Sequence, residues 1–137
     1  MILRRVDIFF YGLFMDTDIL RAKGIEPVNP CRAEVLGMAL RIGQRATLVP
    51  DASKSTHGIL MQLTQDEIHR LYSEESVEAY RPEAVMARLT DGRSIPALCF
   101  NLPTPPSVHG ENRDYAEKLR DLGRRLDLPV IYLDGLI

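Results

Sequence analysis

Apolar positions in this chain recur mostly with a period of two, and a helical period replaces it in a few places. Val6-Asp7-Ile8-Phe9-Phe10-Tyr11 is rich in β-branched and aromatic residues and predicts a first strand ended by Gly12. A short helix follows around Ile19 to Ala22, with Asp16 or Asp18 as its cap and Gly24 as its stop. Pro27 to Pro30 reads as a connector. Arg32 to Ile42 alternates around Gly37, which predicts one bent strand or two short ones. Arg45 to Val49 and His57 to Leu63 are two further strands, with Pro50 to Ser55 as a surface turn between them.

The best local signature is Thr64-Gln65-Asp66-Glu67, a capping box. Ile68, Leu71 and Tyr72 continue it as an apolar stripe at i, i+3 and i+4. Tyr80 to Leu89 and Ser94 to Asn101 are strands joined by the Asp91-Gly92 turn, with Pro82 demanding an edge or a bulge. Tyr115, Leu119, Leu122 and Leu126 form the stripe of a last helix, capped by Asn112 and stopped before Pro129. Six or seven short strands and two or three helices make an α+β fold with a curved or closed small sheet.

Composition adds bounds rather than a function. The 137 residues are expected to form a single domain, 1–137, able to bury a real core. A net charge of −2 with mixed signs gives no basic face, so nucleic acid is not an expected partner. No apolar run approaches the ~20 residues of a membrane span. Asp7 interrupts any signal-peptide core, and a cytoplasmic location is expected. Cys31, Cys99, His57, His69 and His109 show no metal-ligand spacing, so neither metal nor cofactor is expected. Both cysteines fall in strand-like runs and are expected to be buried, reduced thiols.

Two stretches offer chemistry. Strand, Gly12, loop and helix in that order can present backbone N–H groups to an anion or a developing oxyanion. The plainer reading is that Gly12 permits a turn and that Leu13, Phe14 and Met15 are core. Leu71-Tyr72-Ser73-Glu74-Glu75-Ser76-Val77 is the junction between a helix and a strand, where a carboxylate can face a cavity. Continuing the helix would turn Glu74 and Glu75 about 100° apart, so they are not a paired-carboxylate site. The plainer reading of Glu74, Glu75 and Glu78 is a solvated acidic rim. No Gly-x-Ser-x-Gly motif supports a serine or cysteine hydrolase.

Taken in order, these stretches resemble the gamma-glutamylcyclotransferase-like superfamily. Tyr11-Gly12-x-x-Met15 resembles its Tyr-Gly-Ser-Asn-Leu/Met loop, and His57-Gly58-Ile59-Leu60-x-x-Leu63 its Val-x-Gly-Val-Leu-Tyr-x-Leu strand. Leu71 to Val77 with Tyr80-Arg81 and Val85 is similar to Leu-Asp-x-x-Glu-Gly-Val…Tyr-x-Arg-x-x-Val. Tyr115 to Leu119 and Leu128 to Tyr132 are similar to the closing helix and its Gly-Leu-Pro-x-x-Tyr end. The resemblance implies a small mixed β-barrel with flanking helices. It implies that the α-amine of a gamma-glutamyl compound attacks its own γ-carbonyl and releases 5-oxoproline. It makes Glu75 the general base and then acid. A free glutamate titrates near ~4.3, and an apolar pocket would raise that value. The resemblance makes Tyr11, Gly12, Leu13 and Phe14 the substrate-binding loop, with Tyr80 lining the pocket.

The departures are specific. Leu13-Phe14 stands for Ser-Asn, Tyr72 for the Asp, and Ser76 for the Gly. Backbone donors survive such changes and side-chain polarity does not. A non-catalytic member of the fold that binds a small ligand or a protein is therefore the alternative expectation.

Overall fold

The computed structural model describes residues 4–107 and 112–136, so Met1 to Leu3, His109 and Ile137 lie outside the described residues. Five strands close a barrel in the order β1-β3-β2-β4-β5. They are β1 (Arg5–Phe10), β2 (Val28–Ile42), β3 (Ala46–Thr64), β4 (Arg81–Leu89) and β5 (Ser94–Asn101). Neighbours run antiparallel except β1 and β5, which close the barrel in parallel through Ile8 and Leu98. The expected α+β small mixed barrel is thus found.

The strand count differs from the expected six or seven because two separations do not occur. Residues 46–49 and 57–63 belong to one 19-residue strand, β3, which starts one residue after Arg45. Leu36 pairs with Ser55 and Met38 with Pro50, so residues 51–54 bulge out opposite Gly37. The turn chemistry there is real: Asp51 Oδ1 accepts from the Ser53 N–H and hydroxyl. Gly37, at φ +80°, bends β2 at the same level. The ladder resumes on both sides, which is why the turn does not divide the strand. Likewise the expected connector Pro27 to Pro30 is mostly strand: β2 starts at Val28, with a register shift between Val28 and Cys31 where Pro30 lacks a donor.

Four helices flank the barrel: α1 (Thr17–Ala22), α2 (Gln65–Tyr72), α3 (Arg113–Arg125) and α4 (Val130–Asp134). The Asp16 carboxylate caps α1 and the Asn112 amide oxygen caps α3. Thr64 and Glu67 form the capping box of α2. Leu119 and Leu122 on α3 are buried, each worth about 1.5–3 kcal/mol. Pro129 starts α4 rather than only ending α3, because a proline needs no N–H partner at a helix start. Pro82 sits at the end of β4 away from its pairing with β2, as an edge position requires. Among the described residues, no helix is long and apolar enough to cross a membrane.

Cys99 is buried in the core as expected, and burial pushes its thiol up to about 12. Cys31 corrects the expectation. It is exposed, because the shifted register at the start of β2 turns it outward.

Candidate functional site

At one end of the barrel the chain leaves β1, turns between β2 and β3, and crosses from α2 to β4. These three links and the start of α3 enclose a cavity of about 320 Å³. Tyr11, Gly12, Leu13, Phe14 and Tyr80 all line it, together with Tyr72, Phe100 and Tyr115. Five of the six residues expected at the site therefore share one space.

Glu75 is the sixth, and it does not line the cavity. Helix α2 ends at Tyr72, and the chain continues as a turn held by Val77 N–H to Glu74 O (3.0 Å) and Tyr80 N–H to Val77 O (3.1 Å). Ser76 and Val77 reach the cavity wall, while Glu75 is exposed one residue away. The apolar enclosure expected around its carboxylate is absent in this arrangement. Glu74 points elsewhere, with both carboxylate oxygens 2.8 Å from Lys23 Nζ. The two acids thus have separate surroundings, as their spacing suggested. Among the described residues, Glu75 has no hydrogen bond or ion pair.

The loop after β1 is a short 3₁₀ turn, Leu13–Met15. Its Met15 N–H bonds to Gly12 O and its Asp16 N–H to Leu13 O. The Leu13 N–H is drawn to the Tyr115 phenol oxygen, which partly offsets the effect of burial in pushing that phenol up to about 12. Among the described residues, no backbone acceptor is bonded to the N–H groups of Gly12, Leu13 or Phe14. Gly12 is in extended backbone, and what demands glycine there is proximity. A Cβ at this position would lie 2.6 Å from the Tyr115 hydroxyl. Leu13 and Phe14 face the cavity and also pack on the core.

The walls are aromatic and interlocked. Tyr72 stacks on Phe100 at 4.0 Å, and Phe14 meets Phe10 and Tyr72 edge-on at 6.3 and 6.1 Å. Tyr11 donates to the Phe100 carbonyl at 2.7 Å and Tyr80 donates to the Ala46 carbonyl. Burial raises Tyr11, Tyr72 and Tyr80 far above neutrality. All the lining phenols are therefore uncharged at neutral pH, and among the described residues no carboxylate lines the wall. Arg45, in the turn between β2 and β3, is the one charged residue in the lining among the described residues.

A family model described as gamma-glutamyl cyclotransferase, AIG2-like, matches residues 8–120. The chain belongs to that family. No curated protein sequence matches it. Among solved structures, an AIG2-like fold is shared with a gamma-glutamyl cyclotransferase at TM-score 0.81 and 16% identity, over 97% of this chain and 86% of the other. An uncharacterized human protein, loc79017, superposes at TM-score 0.80 and 17% identity, over 96% and 86%. YkqA of Bacillus subtilis gives 0.79 and 23%, over 97% of this chain and 53% of its own. Likeness at these identities speaks for the fold.

Residue patterns did not single out Phe100 or Gln44, gave Tyr72 and Tyr115 only as parts of helix stripes, and offered Arg45 only as one of three arginines, with Arg41 and Arg81, able to hold a carboxylate. One usable signal was present. Four of the five tyrosines line this cavity, each from a different segment.

Proposed function

We propose that this protein is a gamma-glutamyl cyclotransferase-type enzyme acting on a small gamma-glutamyl compound. The observation that supports it is the convergence of Tyr11 to Phe14 and Tyr80 on one closed-in aromatic cavity, in a chain of this family. In the reaction the substrate's α-nitrogen attacks its own γ-carbonyl carbon. The amide C–N bond breaks, 5-oxoproline forms, and the departing nitrogen takes a proton. Nucleophile and electrophile belong to one molecule, so enclosure in a near-attack geometry supplies much of the rate.

Proton transfer needs a base, and the neutral phenols in the wall are poor ones. Glu75 is the proposed general base and then acid. It adjoins Ser76 in the cavity wall and carries no competing partner among the described residues. A rotation of the 73–79 turn on substrate binding is part of this proposal, since catalytic contacts are often loose without substrate. Two unpaired cysteines, one of them exposed, support a reducing compartment, so the cytoplasm is the proposed location.

A second reading has its own observation. Among the described residues the wall holds no carboxylate, which favours a member of the fold that binds a small ligand without turning it over.

One experiment separates the two readings. Release of 5-oxoproline is measured from gamma-glutamyl amino acids, gamma-glutamyl amines and glutathione, with wild type beside Glu75→Gln. Turnover that falls by at least ~100-fold in the variant supports the enzyme with Glu75 as its base. No turnover across the panel favours the binding reading. Equal turnover in both proteins removes Glu75 from the chemistry.

A further inference from the structure

A second, wider cavity of about 660 Å³ adjoins the first. The two share Gln44 and Arg45, which line both. Beyond that turn the wall is made by Ala79, by Arg81 at the start of β4 and by Leu102, Pro103, Thr104 and Pro106 after β5. Thr104 adds a hydroxyl. The charged residues in this lining are two arginines, with no aspartate or glutamate.

Neither guanidinium is matched by an acid among the described residues. Arg81 Nη1 donates to the backbone carbonyls of Glu78 (2.6 Å) and Tyr80 (2.9 Å), which fixes its position and leaves its charge unpaired. The Arg45 side chain makes no hydrogen bond or ion pair among the described residues, while its carbonyl accepts from the Gly43 N–H at 3.0 Å. Arg41 lies behind the same wall, with Nη1 3.1 Å from the Pro106 carbonyl. Positive charge therefore accumulates on one side of the aromatic cavity, without a counter-ion among the described residues. An arginine with free N–H groups is suited to a planar carboxylate.

We infer that this second cavity receives a carboxylate carried by the leaving group, so that the substrate class is a gamma-glutamyl amino acid or peptide rather than a gamma-glutamyl amine. The inference rests on the cyclotransferase reading for the orientation of the substrate. The gamma-glutamyl part, which must fold into a ring away from water, takes the smaller aromatic cavity. The departing amino acid takes the wider one, from which it leaves past Arg45 and Arg81.

The test uses two ligands that differ by a single carboxylate: gamma-glutamylglycine and gamma-glutamylmethylamide. Their affinities are measured by calorimetry on the full chain carrying Glu75→Gln, so that neither ligand is consumed by the proposed chemistry. The expected result is tighter binding of gamma-glutamylglycine by about 10-fold, the size of one charge-assisted hydrogen bond at a partly exposed site. Adding Arg45→Gln should close most of that gap. Arg81→Gln, made separately, should narrow it as well, and binding of the methylamide reports that each variant is folded.

Equal affinity for the two ligands overturns the inference. So does a gap that survives both arginine variants, because the carboxylate is then read elsewhere. A loss of the same size for both ligands in Arg45→Gln overturns it too, since the arginine would serve the common gamma-glutamyl part. Failure of both ligands to bind removes both this inference and the substrate reading. Wild-type turnover, followed in parallel, keeps the two apart. A carboxylate preference in binding without 5-oxoproline release refutes the catalytic reading and leaves this one standing.

Discussion

Replacing Gly12 by alanine would force the closest approach in the cavity wall. The new Cβ would sit 2.6 Å from the Tyr115 hydroxyl, where ordinary contact begins at 3.4 Å, so one of the two must move by about 0.8 Å. Tyr115 stands on the first turn of α3, whose Ala116 and Leu119 are buried. Its ring is partly buried and packs on the core, so a shift of the ring disturbs that packing. Overpacking of this kind costs about 1–3 kcal/mol. The same geometry predicts its own remedy. Without the hydroxyl, the nearest tyrosine atom is Cζ at 4.0 Å, which is ordinary contact. Tyr115→Phe alone removes the oxygen approached by the Leu13 N–H and should cost about 1 kcal/mol. In the double variant the alanine should add little to that. The coupling between the two sites is therefore expected to be about 1–3 kcal/mol in the restoring direction. Urea denaturation of wild type, both single variants and the double variant measures it. Costs that add to within about 0.5 kcal/mol would refute the argument, because independent sites behave that way.

Two further outcomes follow from the same geometry. Tyr11→Phe should cost about 1–2 kcal/mol through the lost bond to the Phe100 carbonyl, whereas Tyr72→Phe should leave the urea midpoint nearly unchanged, since that hydroxyl has no hydrogen-bond partner among the described residues. Burial alone would raise the Glu67 carboxyl, but the N–H groups of Thr64 and Glu26, the Thr64 hydroxyl and Arg5 outweigh it and hold the group below its usual value. Its contribution is full above the unfolded value near ~4.3 and is lost as pH falls through the lower folded value, so Glu67→Gln should flatten the acid limb of stability against pH.

The fold was legible where local chemistry and tertiary pairing agree. The capping box at Thr64, the Asn112 cap and the bend at Gly37 all lie where the residue pattern placed them. Legibility failed at Pro50 to Ser55, where good turn residues form a bulge because the ladder to β2 resumes beyond it. The loop of the site was readable from Tyr11-Gly12. The packing of Tyr115 over Gly12 was not, because it joins positions about a hundred residues apart, which no local period encodes. For the same reason the orientation of Glu75 depends on how its turn packs, and its identity alone could not supply that.

The positions given roles in substrate handling share a topological property. Tyr11 to Phe14 follow β1, Arg45 lies between β2 and β3, Glu75 and Tyr80 lie between α2 and β4, and Arg81 is the first residue of β4. They stand at or beyond the ends of strands, and of them only Arg81 joins the ladder, at its terminal pair with Asn101, while the interior runs on through pairs such as Ile8 with Met61 and Ala84 with Leu98. The barrel thus separates what must be kept for folding from what can be changed for selectivity. A lineage could rewrite the rim one link at a time, as Leu13-Phe14 in place of Ser-Asn illustrates, and retain the barrel throughout.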